Sequence, residues 1–231
     1  MKRFYTEIGT RGEGSGWVVL LDGRPVRTPA RALLAVPAEA LAVDIGQEWR
    51  AQGEEIDPGS MRFTRLATTV VDLMPARRPD AIAEAAGYAG TDLLCYRAEH
   101  PAELVARQAR AWQPWLDWAE RQYDARLTVA AGIMPVTQPD AALRALQVAV
   151  ERLDDWRLVG LHAVTTLLGS LILGLALERG AADAATLFAT ALLDELFEVE
   201  QWGEDPGQLL RHARIRADLA AAERFLAVLR G

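Results

Sequence analysis

The feature that most constrains the fold is a nearly uncharged, apolar stretch at residues 158–177. A helix of about 20 such residues is long enough to cross a bilayer, so a membrane anchor is one interpretation. The stretch also contains the polar residues His162 and Thr165, and no arginine cluster marks one flank as cytoplasmic. Helices that are apolar on all sides also occur inside helical domains, where neighbouring helices cover them. We therefore expect a buried helix and no membrane insertion.

The hydrophobic pattern changes along the chain. Residues 17–21 form a short apolar run rich in β-formers, and the dipeptide Asp22-Gly23 that follows is favoured in tight hairpin turns. We expect the return strand at residues 26–28 and a flexible turn in the glycine-rich segment 9–16. From Thr64 onward the apolar positions follow a helical period. The pattern predicts an α+β protein, with a mixed strand and helix domain at residues 1–76 and a larger all-α domain at residues 77–231.

Proline and glycine positions predict where the helices begin and end. Pro75 and Pro79 are expected to separate two helices, and Pro114 to kink or break a third, because proline removes a hydrogen bond and clashes one turn back. The short connections favour antiparallel neighbours. The predicted helices are at residues 37–52, 64–73, 79–89, 101–123, 139–156, 158–178, 182–202 and 206–229.

Composition excludes several classes of function. The net charge is −7, from 32 acidic and 25 basic residues, which disfavours binding to nucleic acid or to an anionic membrane. Lys2 is the only lysine, so Schiff-base chemistry and a phosphate-binding loop lysine would both depend on it. Cys95 is the only cysteine; it permits no internal disulfide, and its leucine and tyrosine neighbours indicate a buried thiol.

The reactive side chains do not form a familiar catalytic pattern. His100, His162 and His212 lie far apart, without the helical spacing of a metal site, and His162 is expected to be a hydrogen-bonded core residue. No nucleophile elbow or dinucleotide-binding motif is present. We expect no catalytic residue, no metal and no cofactor. A separate stripe, Trp112, Trp115 and Trp118, is interpreted either as core-facing or as a surface for a protein partner.

An acidic cluster around the pair Trp202-Gly203 is the most informative feature for function. On a helix, Asp194 and Glu198 lie one turn apart, where like charges repel each other. A solvated helix face is one interpretation, and a small hydrolase that uses Asp194, Glu195 and Glu198 with a metal or water is another. Recognition of arginine or lysine on a protein partner fits better, because an aromatic residue lies beside the charges. The cluster comprises Asp194, Glu195, Glu198, Glu200, Glu204 and Asp205.

Several short segments, taken in order along nearly the whole chain, resemble the ATP synthase assembly factor family, the chaperones of the alpha subunit of the catalytic head. No single segment is decisive, but their order is specific. The sequence has Gln113 where an aspartate often precedes the proline in this family. The segments are residues 21–29 (LDGRPVRTP), 48–49 (EW), 61–67 (MRFTRLA), 91–97 (TDLLCYR), 112–114 (WQP), 193–195 (LDE) and 202–203 (WG).

The resemblance implies an N-terminal α+β domain, a C-terminal helical domain, and a non-catalytic chaperone. Such a chaperone would bind the free alpha subunit and prevent its aggregation until the beta subunit replaces it. The functional acidic residue of the family is carried to Glu195, with Asp194 as the near alternative, and Glu198 and Trp202 are expected to belong to the partner-binding surface. Trp49 matches a position where a tryptophan matters and is expected to be a structural anchor. We expect a monomer in the bacterial cytoplasm, or in the mitochondrial matrix if the source is eukaryotic.

Overall fold

A computed structural model describes residues 1–132 and 134–230. Strands lie mainly near the N-terminus and the rest is largely helical, which confirms the predicted α+β class. The N-terminal part contains β1 (Ile8–Glu13), β2 (Gly16–Leu21), β3 (Arg24–Pro25), β4 (Ala35–Val36) and α1 (Glu39–Arg50).

Strand β2 is the centre of the N-terminal sheet. Strand β1 pairs with β2 along its full length in antiparallel orientation, while β3 and β4 pair with opposite ends of its other edge. Asp22 and Gly23 have φ values of 47° and 75°, as the predicted hairpin turn requires. The return strand is β3, at Arg24–Pro25, and not residues 26–28 as predicted, because β4 takes over the pairing with β2.

The predicted flexible turn at residues 9–16 is wrong. Most of this segment is β1, and only Gly14 and Ser15 form the turn that leads into β2. Helix α1 packs closely on this strand: a Cβ atom added to Gly46 would lie 3.5 Å from Ile8 Cγ2. Pairing with β2 and cover by α1 order the glycine-rich sequence, and neither contact is visible in its composition.

The helical part begins with α2, and a short parallel pair of strands, β5 and β6, precedes and follows α3. Residues 58–60, 88–91 and 93–95 form single 3-10 turns. The elements are α2 (Arg62–Gly87), β5 (Tyr96–Arg97), α3 (Ala102–Tyr123), β6 (Ala130–Ala131), α4 (Asp140–Glu151), α5 (Asp155–Leu168), α6 (Leu171–Glu178), α7 (Ala184–Ala191), α8 (Leu193–Trp202) and α9 (Pro206–Arg230).

The prolines do not break the helices where we predicted. Helix α2 is continuous through Pro75 and Pro79, and α3 is continuous through Pro114. Each proline forfeits hydrogen bonding at one turn, whereas the buried face of α2 continues from Met74 on one side of the prolines to Ala81 on the other. Packing therefore outweighs the local cost. The division into residues 1–76 and 77–231 falls inside α2 and stays a prediction.

Two predicted helices are each divided in the structure. The apolar helix predicted at residues 158–178 is α5 followed by α6, because Gly169 adopts a left-handed φ of 68° and Ser170 caps the new helix by accepting a hydrogen bond from Leu173 N. The helix predicted at residues 182–202 is α7 followed by α8, with Leu192 outside helical geometry at φ −94° and ψ 17°.

Helix α6 lies in the centre of the molecule, and all of its residues are buried. Its last residue, Glu178, is a buried carboxylate that pairs with Arg157 on α5. Among the described residues, no helix combines the length and the apolar character needed to cross a bilayer. The expected buried position of residues 158–177 is thereby confirmed, except that residues 162, 163, 166, 167 and 169 are partly exposed.

Candidate functional site

The acidic segment, residues 194–205, consists of α8 after its first residue and the connection to α9. Helix α8 is fixed by Phe197, which is buried, and α8 contacts α3 on one side and α7 on another. The remaining residues of α8 are partly or fully exposed. The carboxylates therefore lie on a surface that contacts with two other helices, α3 and α7, hold in place.

Helix α3 supports two of these carboxylates. Gln108 Nε2 donates a hydrogen bond to Asp194 Oδ1 at 2.7 Å, and Gln108 itself is buried. The guanidinium of Arg107 binds Glu200 Oε2 at 2.6 Å and stacks 5.1 Å from the ring centre of Phe197. Asp194 and Glu200 thus also attach α8 to α3.

A buried histidine joins Glu195 to the connection. His212 Nε2 lies 3.2 Å from Glu195 Oε2, and His212 Nδ1 lies 2.7 Å from Glu204 Oε1. Arg211 also pairs with Glu195, and the Phe188 ring packs edge-on against the imidazole at 5.5 Å. His212 therefore ties α8, the connection and α9 together.

The prediction for His162 as a core residue is wrong. Its side chain is partly exposed, and its Nε2 lies 3.1 Å from Glu84 Oε2 on α2. The fully buried histidine is His212 on α9. Periodicity favoured His162 because α5 is the more apolar helix. The packing of α7 on α9, which places the Phe188 ring against His212, is not visible in the local sequence.

Large apolar side chains are exposed where α8 ends and α9 begins. Trp202 is 79% exposed, and Leu209 and Leu210, in the first turns of α9, are 56% and 73% exposed. Glu198 is exposed, and within the described residues it takes part in no hydrogen bond or ion pair. We call Trp202, Leu209 and Leu210 the apolar corner. Sequence reasoning missed the two leucines, although the pair follows the Pro-Gly start of α9 among polar neighbours.

Glu195 and Glu204 flank His212, and the described structure brings no third carboxylate to it. Gln108, Arg211 and His212 satisfy Asp194 and Glu195 from different elements, and Glu198 points to no partner in the described chain. Among residues 1–132 and 134–230, no group of three or more histidine, cysteine, aspartate or glutamate side chains could hold a metal ion. The arrangement is suited to contact with another molecule.

The other motifs of the sequence hold the fold. Glu48 accepts hydrogen bonds from Phe63 N at 2.7 Å and Thr64 N at 2.8 Å, and so caps the start of α2. The Trp49 ring packs edge-on against Tyr5 at 5.5 Å, and its carbonyl accepts a hydrogen bond from the Tyr5 hydroxyl. These contacts accord with an anchoring role for Trp49, which stays a prediction.

The tryptophan stripe and the cysteine belong to the core. Trp112 is buried and donates its Nε1 hydrogen to Thr190 O at 2.8 Å, while Trp115 and Trp118 pack partly buried against the core. The core-facing interpretation is confirmed for Trp112, whereas Trp115 and Trp118 are only partly buried against the core. Cys95 is buried as expected, and burial raises the pKa of its thiol to about 12.

Comparisons of the chain with family models, curated proteins and solved structures all point to the same family. The family described as ATP12 chaperone protein matches residues 2–120. A curated relative, "Protein atp12, mitochondrial" from Schizosaccharomyces pombe, is 21% identical over 214 residues, which cover 87% of this chain and 74% of the relative.

Solved structures extend the similarity through the acidic segment. Atp12 from Paracoccus denitrificans is 42% identical, with a TM-score of 0.90 over 98% of this chain and 97% of that one. An aspartate-to-lysine mutant of that protein is 41% identical over the same shares, with the same TM-score. A protein from Agrobacterium tumefaciens is 39% identical, with a TM-score of 0.93 over 99% of this chain and 86% of that one. The chain therefore belongs to the ATP12 chaperone family, whose members are chaperones for ATP synthase assembly and not enzymes.

Proposed function

We propose that this protein binds the free alpha subunit of the ATP synthase catalytic head and prevents its aggregation before the beta subunit takes its place. The observation that carries the proposal is the exposed apolar corner, together with the exposed carboxylate of Glu198, which lies one helical turn before Trp202 and has no ion-pair partner among the described residues. Large apolar side chains at the surface of a folded chain mark contact sites for other molecules. Membership of a family of ATP synthase assembly chaperones supports a subunit of that enzyme as the partner.

The chemistry of the corner suits an unassembled subunit. Such a subunit exposes apolar surface that its neighbours later cover, and a chaperone that binds this surface lowers the concentration of the aggregating species by mass action. Tryptophan is among the residues that contribute most to binding energy at interfaces. Trp202 is therefore the anchor that we assign to the contact.

The carboxylates make the contact selective for the charge of the partner surface. Acidic side chains around an apolar centre favour a partner surface that carries arginine or lysine and disfavour an acidic one. Glu198 is available without breaking an existing pair. Glu195 and Asp194 lie at the edge of the proposed contact surface. Arg211 and Gln108 hold their side chains in fixed positions.

We also propose that the protein acts as a monomer and that its compartment is the bacterial cytoplasm. The support for this compartment is the higher identity to the Paracoccus denitrificans and Agrobacterium tumefaciens proteins than to the mitochondrial relative. If the source is eukaryotic, the proposed compartment is the mitochondrial matrix.

The test is co-expression with the alpha subunit, with soluble alpha subunit and a co-eluting complex in size exclusion as the readouts. We expect Glu195→Gln and Trp202→Ala each to abolish or strongly reduce the rescue while circular dichroism remains unchanged. Glu198→Gln gives a cleaner test of charge, because this side chain supports no contact within the described fold.

The matched controls are Phe4→Ala and Glu54→Gln, which remove an exposed aromatic ring and an exposed carboxylate in the N-terminal part. Both are expected to leave the rescue intact. Normal rescue by Glu195→Gln would reject the role of that residue. Normal rescue by all three variants of the acidic segment would reject this surface as the contact.

A further inference from the structure

A second charged surface lies at the far end of α3 from the acidic segment. It is an open hollow of about 560 Å³ between the end of α3, the outer face of α4 and the residue after α6. One carboxylate, Asp124, also lines it. The arginine hollow, as we call it, is lined by Arg121, Arg144, Arg152 and Arg179.

Existing contacts do not neutralise these guanidiniums. Within the described chain, Arg121 and Arg152 have no salt bridge, and Arg144 lies 3.9 Å from Asp140 on the exposed face of α4. Arg179 lies 3.7 Å from Glu178, which Arg157 already neutralises. The chain has a net charge of −7, so a surface where positive charge is concentrated and largely unpaired stands out as a candidate site for an acidic ligand.

Capping of helix ends does not account for the four arginines. Arginine is favourable near a helix C-terminus, where it can bind the last carbonyl groups, and this chain uses it in that way elsewhere. Arg230 donates to the carbonyls of Leu177 and Glu178, and Arg78 donates to that of Leu153. In the described structure, none of the four guanidiniums of the hollow donates a hydrogen bond to a backbone carbonyl.

The floor of the hollow is mixed in character. Ala145, Val148 and Ala149 supply apolar surface from α4, and Val148 is exposed. The Tyr123 hydroxyl is buried and has no hydrogen-bond acceptor among the described residues. A ligand for this surface would bring carboxylate oxygens for the arginines, together with apolar groups for the alanine and valine side chains; the buried Tyr123 hydroxyl lies out of its reach.

We propose that the arginine hollow binds an acidic, partly apolar segment of a polypeptide. A compact phosphate group fits less well, because α3, α4 and α6 all end at this hollow and their partly negative C-termini oppose a concentrated double negative charge more than single charges spread apart. Phosphate sites in proteins favour helix N-termini with free amide groups. Singly charged carboxylates spread along an extended chain match four separated guanidiniums better.

The hollow and the acidic segment would together orient a client. Gln108 supports α8, whereas Arg121 lies 13 residues further along α3, which corresponds to roughly 20 Å of helix. Two surfaces of opposite charge at this separation favour one orientation of a partner with the complementary pattern. The assignment of the acidic segment to the client rests on the proposed function; the binding chemistry of the hollow does not.

The experiment measures fluorescence anisotropy of a labelled short peptide in which glutamate alternates with leucine, mixed with the full-length protein. We expect saturable binding that weakens as salt is added, and no binding of a matched peptide with glutamine in place of glutamate. Arg121→Gln combined with Arg152→Gln should weaken binding by about fivefold or more, from the loss of two charge pairs. The control Arg24→Gln combined with Arg110→Gln should leave it unchanged, because both arginines are exposed elsewhere.

Equal binding by the two double variants would overturn the proposal, as would no binding of the peptide to the unaltered protein. Competition by inorganic phosphate as effective as that by unlabelled peptide would assign the hollow to small anions instead. Trp202→Ala is expected to bind the acidic peptide normally even if it fails to rescue the alpha subunit. The two proposals can therefore fail separately.

Discussion

At the scale of single residues, Asp92 connects two places where the helical structure is interrupted. Its Oδ1 accepts hydrogen bonds from Ser170 Oγ at 2.8 Å and from Leu94 N at 3.1 Å, and its Oδ2 accepts one from Ile172 N at 3.1 Å. The carboxylate thus supports the start of α6 and the turn before β5 at once. Burial raises its pKa from 3.8 to about 6, and these hydrogen bonds oppose the shift only in part.

The raised pKa predicts how stability depends on pH. Because the folded protein binds the Asp92 proton more tightly than the unfolded chain, the contribution of this group is fully present below about pH 4 and is lost as the pH rises through about 6. We expect the stability advantage of the unaltered protein over Asp92→Asn to fall by about 3 kcal/mol from about pH 4 to about pH 7. Urea unfolding of both proteins at a series of pH values measures this difference.

Asp183 provides a control of opposite sign. Its exposed carboxylate caps α7 by accepting a hydrogen bond from Thr186 N at 2.7 Å, and that bond is the main cause of its lowered pKa. Its contribution to stability is present above the unfolded pKa and is lost as the pH falls. The stability advantage of the unaltered protein over Asp183→Asn should therefore grow with rising pH. A pH-independent difference between the unaltered protein and Asp92→Asn would contradict the assignment for Asp92.

The candidate site was partly predictable from its residues. Asp194, Glu195, Glu198 and Trp202 were found because they lie close together in sequence. Arg211 and His212, which hold Glu195, lie 16 and 17 residues further along the chain, and their pairing depends on the course of the connection between α8 and α9 and on the packing of α7 on α9. No local pattern encodes that packing.

At the scale of elements, the contact between α5 and α9 depends on a close approach at Gly160. A Cβ atom added there would lie 2.5 Å from Leu226 Cδ2 and 2.9 Å from Leu226 Cγ. The residue is buried in the middle of α5, and Leu226 is fully buried on α9. Glycine is therefore required at this position by packing, and not by backbone conformation.

We expect Gly160→Ala to destabilise the protein by about 1–3 kcal/mol, because overpacking forces Leu226 or the helices to move. The midpoint of thermal or urea unfolding measures the effect. Gly87→Ala is the matched control, since Gly87 is also helical, with φ −57°, and a Cβ there meets no atom within 4 Å. A destabilisation by Gly87→Ala as large as that by Gly160→Ala would show that helical glycines in general, and not this contact, set the cost.

Local sequence signals predicted which elements form better than where each element begins and ends. The Asp22-Gly23 turn and the positions of most helices followed from turn chemistry and helical period. Errors occurred where tertiary contacts decide: β1 is ordered by β2 and α1, and α2 continues through Pro75 and Pro79 because its apolar face is buried. The break at Gly169 is fixed by Asp92 from a distant segment, so a glycine within an apolar run did not reveal it.

At the scale of the whole molecule, the last helix connects the N-terminal part to the rest. Arg224 Nε on α9 lies 2.9 Å from Asp44 Oδ2 on α1. Asp218 on α9 accepts a hydrogen bond from Arg62 at 2.6 Å at the start of α2. Helix α2 itself runs without interruption across residues 76 and 77. The two predicted domains are therefore joined by a continuous helix and by ion pairs to α9.

These connections predict that residues 1–76 and 77–231 unfold together. An independent N-terminal domain would open without disturbing α6, whereas packing through α2 and α9 makes the two parts lose their support at once. We expect native-state hydrogen exchange to give the same opening free energy for peptides from β2 and from α6, and urea to shift both equally. Asp44→Asn and Arg62→Gln should lower both values together, because each removes one link to α9. If exchange in β2 instead occurred at a much lower free energy than in α6, and these variants affected β2 alone, the N-terminal part would be a separate folding unit that α9 only covers.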